Sequence, residues 1–148
     1  MPKLLLLAAC EKAIVEQQTN AVSMISLLQD VYVQLTPGAT PPREAIIPMA
    51  WAVVSIFQRQ PDDGGKSFEH QTIVANSAGR ALLQTATSLF DLRAEFHRIV
   101  NHIDGMPIGF AGPLAIKCCL REKGAPDWRE IAAYPININW QPLVSPTA

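Results

Sequence analysis

The chain has 148 residues, with 12 lysines and arginines against 13 aspartates and glutamates, which gives a formal net charge of −1. A chain with no excess of positive charge has little with which to neutralise phosphates, so we expect no nucleic-acid partner. No run approaches the roughly 18 apolar residues of a membrane-spanning helix, so we expect no membrane partner. The length suits a single domain over residues 1–148, and 12 prolines favour a loop-rich β fold over a helical bundle.

The first part of the chain is predicted to contain three long apolar segments. Leu4–Cys10 is apolar at every position, which is typical of a strand that is buried on both faces. Val22–Leu35 is rich in Val, Ile, Leu and Tyr and is predicted to bend or bulge near Gln29 and Asp30. Thr36–Pro48 contains four prolines and is predicted to cross the surface. Met49–Gln60 is apolar at both parities, so we place this strand at the centre of a sheet.

The middle of the chain has weaker patterns. Pro61–Gly65 has the composition of a hairpin loop, and Phe68–Val74 is predicted as the strand that returns from it. Leu82–Thr87 is predicted as a short strand. Phe90–Val100 alternates apolar and polar residues as far as Phe96, which favours a strand, although the apolar residues up to Ile103 also fit one face of a helix.

The last part of the chain predicts a hairpin of two long strands. Leu114–Arg121 alternates, with Leu114, Ile116, Cys118 and Leu120 on one face. After a turn, Trp128–Trp140 is the second strand, in which Tyr134, Ile136, Ile138 and Trp140 share one face. Together with the earlier segments, this pattern predicts an all-β fold, a single-domain antiparallel β-sandwich of about eight strands.

Three cysteines occur, and they have no metal-type spacing. Cys118 falls on the predicted core face, whereas Cys119 falls on the opposite face and is expected to be the reactive thiol. The apolar run before Cys10 is shorter than the roughly 7–15 residues of the apolar core of a secretory signal peptide. We therefore expect free thiols and a cytoplasmic location, with Cys10 buried rather than lipidated.

His97, His102 and Asp104 are the candidate ligand-binding residues. Imidazole and carboxylate groups bind metals and move protons, so these three residues could serve a small-molecule or metal-dependent enzyme. On a regular strand His97 and His102 face opposite ways, and only a bulge would reunite them. Without a spacing signature we expect no bound metal, no cofactor and no catalytic group. Trp128 and Trp140 leave a carbohydrate-binding module as a weaker alternative.

Several short strand and turn motifs follow one another along the chain: Leu6–Glu11, Val22–Ser26, Pro48–Trp51, Pro107–Gly109, Gly112, Trp128–Glu130 and Tyr134–Ile136. Together they resemble an uncharacterised family of small bacterial proteins, a domain of unknown function. The resemblance covers most of the chain, but its motifs are strand and turn patterns. It implies a β-sandwich and no known activity, and it brings no catalytic residues.

Our leading hypothesis is a non-enzymatic binding or assembly module that acts through protein–protein contacts. Hydrophobic residues make up 49% of the chain and charged residues only 17%. Because Leu4–Cys10 and Met49–Phe57 are apolar on both faces, their outer faces need cover. A second copy of the chain, in a two-fold dimer, is the partner that we expect first, with another protein as a possible partner.

Overall fold

The computed structural model describes residues 1–144 and has an all-β fold, which confirms the predicted class. The described residues form ten strands, not about eight, and one short 3₁₀ turn at Pro61–Asp63. The strands are β1 (Lys3–Val15), β2 (Val22–Leu27), β3 (Asp30–Leu35), β4 (Ile46–Gln58), β5 (Ser67–Asn76), β6 (Ala81–Gln84), β7 (Ser88–Asp91), β8 (Phe96–Pro107), β9 (Gly112–Glu122) and β10 (Arg129–Pro142).

The strands form two sheets. A four-stranded sheet has the order β2-β1-β4-β8, and a six-stranded sheet has the order β3-β10-β9-β5-β6 with β7 also paired to β5. The main buried cluster draws residues from both sheets, such as Trp51 and Ile103 from the first and Ile116 and Ile138 from the second. This shared apolar cluster holds the two sheets together.

The chain passes between the sheets more often than the sequence predicts. Val22–Leu35 is not one bent strand, because β2 and β3 belong to different sheets and the break falls at Leu28 and Gln29. β4 and β5 are likewise in different sheets, so Pro61–Gly65 is a crossing and not a hairpin loop. Phe90–Val100 is strand rather than helix, but it is divided between β7 and β8.

The predicted antiparallel arrangement is wrong for one pair of strands. β3 runs parallel to β10, with Asp30 opposite Asn137 and Leu35 opposite Pro142. The physical reason is the crossing after β2, which brings the chain to the outer edge of the second sheet in the same direction as β10. The other pairs are antiparallel, and these include the predicted closing hairpin of β9 and β10.

The outer face of the four-stranded sheet is covered by the chain itself. Ala52 and Val54 of β4 point away from the other sheet, yet they are 1% and 0% exposed. Ala13, Val22 and Met24, from the hairpin that joins β1 to β2, are among the residues that pack against them. This cover buries Ala52 and Val54 of β4 without a second copy, whereas Leu5 of β1 is 46% exposed.

Candidate functional site

The free edge of β8 is the most prominent open feature of the two sheets. β8 has 12 residues and ends the four-stranded sheet, with β4 as its only strand partner in the described chain. The other edge strands are shorter, with six residues in β2, six in β3 and four in β6. An edge strand presents backbone N–H and C=O groups that no neighbour satisfies, so β8 offers the longest row of such groups.

β8 is a regular strand over the stretch that carries the candidate residues. Its pairing with β4 runs without a register shift from Asp104 opposite Ala50 to Phe96 opposite Gln58. Ile99 and Ile103 point into the core and are 8% and 5% exposed, because residues an even number of positions apart share one face of a strand. The alternate residues of β8, which include His102, point to the outer face of the sheet.

A groove lies between β8 and residues 83–88, with a volume of about 420 Å³. Asn101 lines it, and its Nδ2 donates a hydrogen bond to Thr72 Oγ1 over 2.9 Å. The backbone N–H of Thr72 in turn donates to Thr85 Oγ1 over 3.0 Å, and Thr85 also lines the groove. The two hydrogen bonds fix the polar side chains of the groove, so the groove is pre-formed beside the edge of β8.

The predicted residues His97, His102 and Asp104 are not brought together. His97 is on the inner face of β8, where its ring stacks on Phe90 with the centroids 4.6 Å apart. His102 and Asp104 are exposed on the outer face, and no bulge reunites them with His97. Within residues 1–144, no three His, Cys, Asp or Glu side chains are grouped so that they could hold a metal ion.

His70 is a buried histidine that the predicted site does not include. It is 0% exposed, its ring meets Phe57 edge-on at 5.9 Å, and neither ring nitrogen has a hydrogen-bond partner in the described chain. Burial, and to a lesser degree the charge of nearby His97, lowers the pKa of His70 to about 4. His70 shares one face of its strand with Phe68 and Thr72, and this alternation in the sequence could have predicted that His70 lies in the core.

Cys119 lies on the face opposite Cys118, as the alternation predicts, but it is not an exposed thiol. It is 6% exposed, and burial raises its pKa, with the Glu130 carboxylate adding to the effect. Cys118 is fully buried, and burial raises its pKa to about 12. Cys10 is also buried with a raised pKa. A thiol reacts as its thiolate, so the structure gives Cys119 no feature of a reactive group.

Trp128 and Trp140 do not form one aromatic platform. Trp128 precedes β10, and the Arg121 guanidinium lies 4.4 Å from the centre of its ring. Trp140 is near the other end of β10, where its Nε1 donates to the carbonyl of Ile108 over 2.9 Å. Trp140 is twelve positions after Trp128, and a strand rises about 3.3 Å per residue, so the two residues are on the order of 40 Å apart. That distance is too long for one sugar to contact both rings.

Comparisons with known proteins leave the site to be interpreted from its geometry. No protein-family model matches the chain, and no curated protein matches it. In the part of the chain that the structure describes, no helix is long and apolar enough to cross a membrane.

Proposed function

We propose that the chain is a non-enzymatic, cytoplasmic protein-binding module that takes up a partner strand along the free edge of β8. The observation that carries this proposal is the length of that edge, which is 12 residues where the other edge strands have six or fewer. Natural sheets usually keep edge strands short or cover them, since an open edge pairs readily with another chain. A long open edge is therefore typical of a binding surface.

The groove beside β8 supports strand addition. A strand that pairs with β8 extends the four-stranded sheet. The groove of about 420 Å³ leaves room for the side chains of that added strand that point to the inner face of the sheet. In this mode of recognition the main-chain hydrogen bonds supply affinity and the side chains along the edge supply specificity. Exposed His102 and Asp104 are then contacts for a partner rather than catalytic groups.

The other functions have less support from the geometry. The enzyme hypothesis needs His97, His102 and Asp104 to converge, and they lie on opposite faces of β8. The carbohydrate hypothesis needs an aromatic platform, but Trp128 immediately precedes β10 and Trp140 lies near its far end.

A sandwich arrangement of the two sheets, a cytoplasmic location and a family relationship also belong to the proposed function. We describe the two sheets as a sandwich because both contribute to one buried cluster. The three buried free thiols suit a reducing compartment such as the cytoplasm. Membership of the uncharacterised bacterial family also remains part of the proposal.

Photo-cross-linking tests the binding edge. We expect a benzophenone amino acid in place of His102 to give cross-linked adducts in cells that express the protein, because position 102 is exposed on β8. The control carries the same amino acid in place of Tyr32, which is 61% exposed on the shorter edge strand β3. Mass spectrometry identifies the second chain of each adduct.

Adducts at position 102 and none at position 32 support the proposed function, whether the second chain is another copy or a different protein. Adducts at position 32 alone, or at neither position, overturn it.

A further inference from the structure

We infer that the strand taken up by β8 is β8 of a second copy, in a two-fold antiparallel register centred on Asn101. This inference rests on the proposed function, because it names the partner of the same edge. It joins two four-stranded sheets into one continuous sheet across the dimer axis. A closed two-fold pair uses one self-complementary surface, and so leaves no free β8 edge to bind a further copy.

The charges of β8 are arranged for pairing with themselves. Arg98 and Asp104 are the only charged residues between Phe96 and Pro107, and each lies three positions from Asn101. In an antiparallel pair centred on Asn101, Arg98 of one copy is therefore opposite Asp104 of the other, and the two-fold axis creates this contact twice. Opposite charges placed across strands stabilise the pair, whereas like charges there destabilise it.

Neighbouring registers lose this complementarity. A pair centred on Val100 sets Arg98 opposite His102, and a pair centred on His102 sets Asp104 opposite Val100. Directly opposite residues of an antiparallel pair point to the same face, so the register on Asn101 also brings Ile99 beside Ile103 over the inner groove. Charge and apolar contact thus select the same register.

The hairpin between β1 and β2 holds Arg98 on the outer face. The Arg98 guanidinium donates to the backbone carbonyl of Asn20, and its Nη2 donates to Asn20 Oδ1 over 2.8 Å. These bonds are to neutral oxygens, so they orient the guanidinium and leave its positive charge without a carboxylate partner among residues 1–144. Asp104 likewise has no ion pair within those residues.

Charge exchange between two variants tests the register. We expect the wild-type chain to form dimers at micromolar concentration in light scattering, since a one-strand contact is near the small end of specific interfaces. Asp104→Arg and Arg98→Asp each place like charges in both contacts, so each variant alone should dimerise at least about tenfold more weakly. Mixed together, the two variants should form a heterodimer, because both contacts become attractive again.

The control is Asp127→Arg, which makes the same change in charge at an exposed loop position and should dimerise like the wild type. Circular dichroism of each variant confirms that its fold is retained, and Asp104→Arg suffices if Arg98→Asp fails to fold. A monomer at all concentrations, or a dimer that Asp104→Arg leaves unchanged, overturns the inference. The proposed function fails separately, when the cross-linking at position 102 recovers no chain at all.

Discussion

The free energy of unfolding is expected to fall by about 3 kcal/mol between pH 6.5 and pH 4 through His70 alone. The folded protein buries the neutral imidazole and lowers its pKa to about 4, whereas the unfolded chain restores the ordinary value of 6.5. Between these two values the unfolded chain binds more protons, so this stability is present above pH 6.5 and is lost as the pH falls through 4. Urea unfolding at several pH values measures the slope of the unfolding free energy against pH.

One variant of His70 and one control variant test whether His70 causes this dependence of stability on pH. His70→Leu removes the titrating ring and its two unpaired nitrogens, so we expect the variant to lose most of the slope between pH 6.5 and pH 4. Phe68→Leu changes a fully buried side chain that packs with Phe57 and Phe90 near the same ring. It should lower stability by about 1 kcal/mol at every pH and keep the slope. An unchanged slope in His70→Leu would contradict the assignment.

Trp51→Ala is expected to lower the free energy of unfolding by about 5 kcal/mol, enough to unfold a marginal domain. Trp51 is 1% exposed in the main cluster, and its Nε1 donates to the carbonyl of Gly105 over 2.9 Å. The variant loses the buried ring and also leaves that carbonyl without its donor. Since a loss of that size can unfold the domain, Trp51→Phe is measured beside Trp51→Ala, with an expected loss of about 2 kcal/mol.

The matched control is Trp128→Ala. Trp128 is half-buried and its ring meets the Arg121 guanidinium, so we expect a loss of about 1 kcal/mol. Urea unfolding compares the three variants at one pH. Equal losses for Trp51→Ala and Trp128→Ala would contradict the burial of Trp51 in the main cluster.

Alternation along single strands could be predicted from the sequence because it needs only local information. Leu114, Ile116, Cys118 and Leu120 share one face and are each 1% exposed or less. The same local pattern places Met49–Gln60 at the centre of a sheet, and β4 does pair with both β1 and β8.

The pairing of strands could not be predicted in this way. Nothing local to Leu28 and Gln29 says that the chain changes sheets there, and the result is a parallel pair of β3 with β10. The positive φ of 56° at Ser26 is also unforeseen, since this conformation is uncommon outside glycine. Partners on distant parts of the chain decide these features, and period-2 patterns do not identify partners.

In the candidate site, too, local features could be predicted from the sequence, whereas features that depend on distant strands could not. The opposite facing of His97 and His102 follows from their spacing and is found in the structure. The free edge of β8, by contrast, depends on the order of all four strands in its sheet. The burial of Cys119 depends on the side chains around it, which include Glu130 opposite it on β10.

Amide hydrogen exchange along the edge strands tests the binding edge most directly. We measure it for the free chain and for the associated form, with whichever partner the cross-linking recovers. We predict that amides of β8 that point away from β4 exchange rapidly in the free chain and become protected on association, because the added strand accepts their hydrogen bonds. Amides at the open edges of β2 and β3 should not change. Protection gained at β2 or β3, with β8 unchanged, would contradict the account.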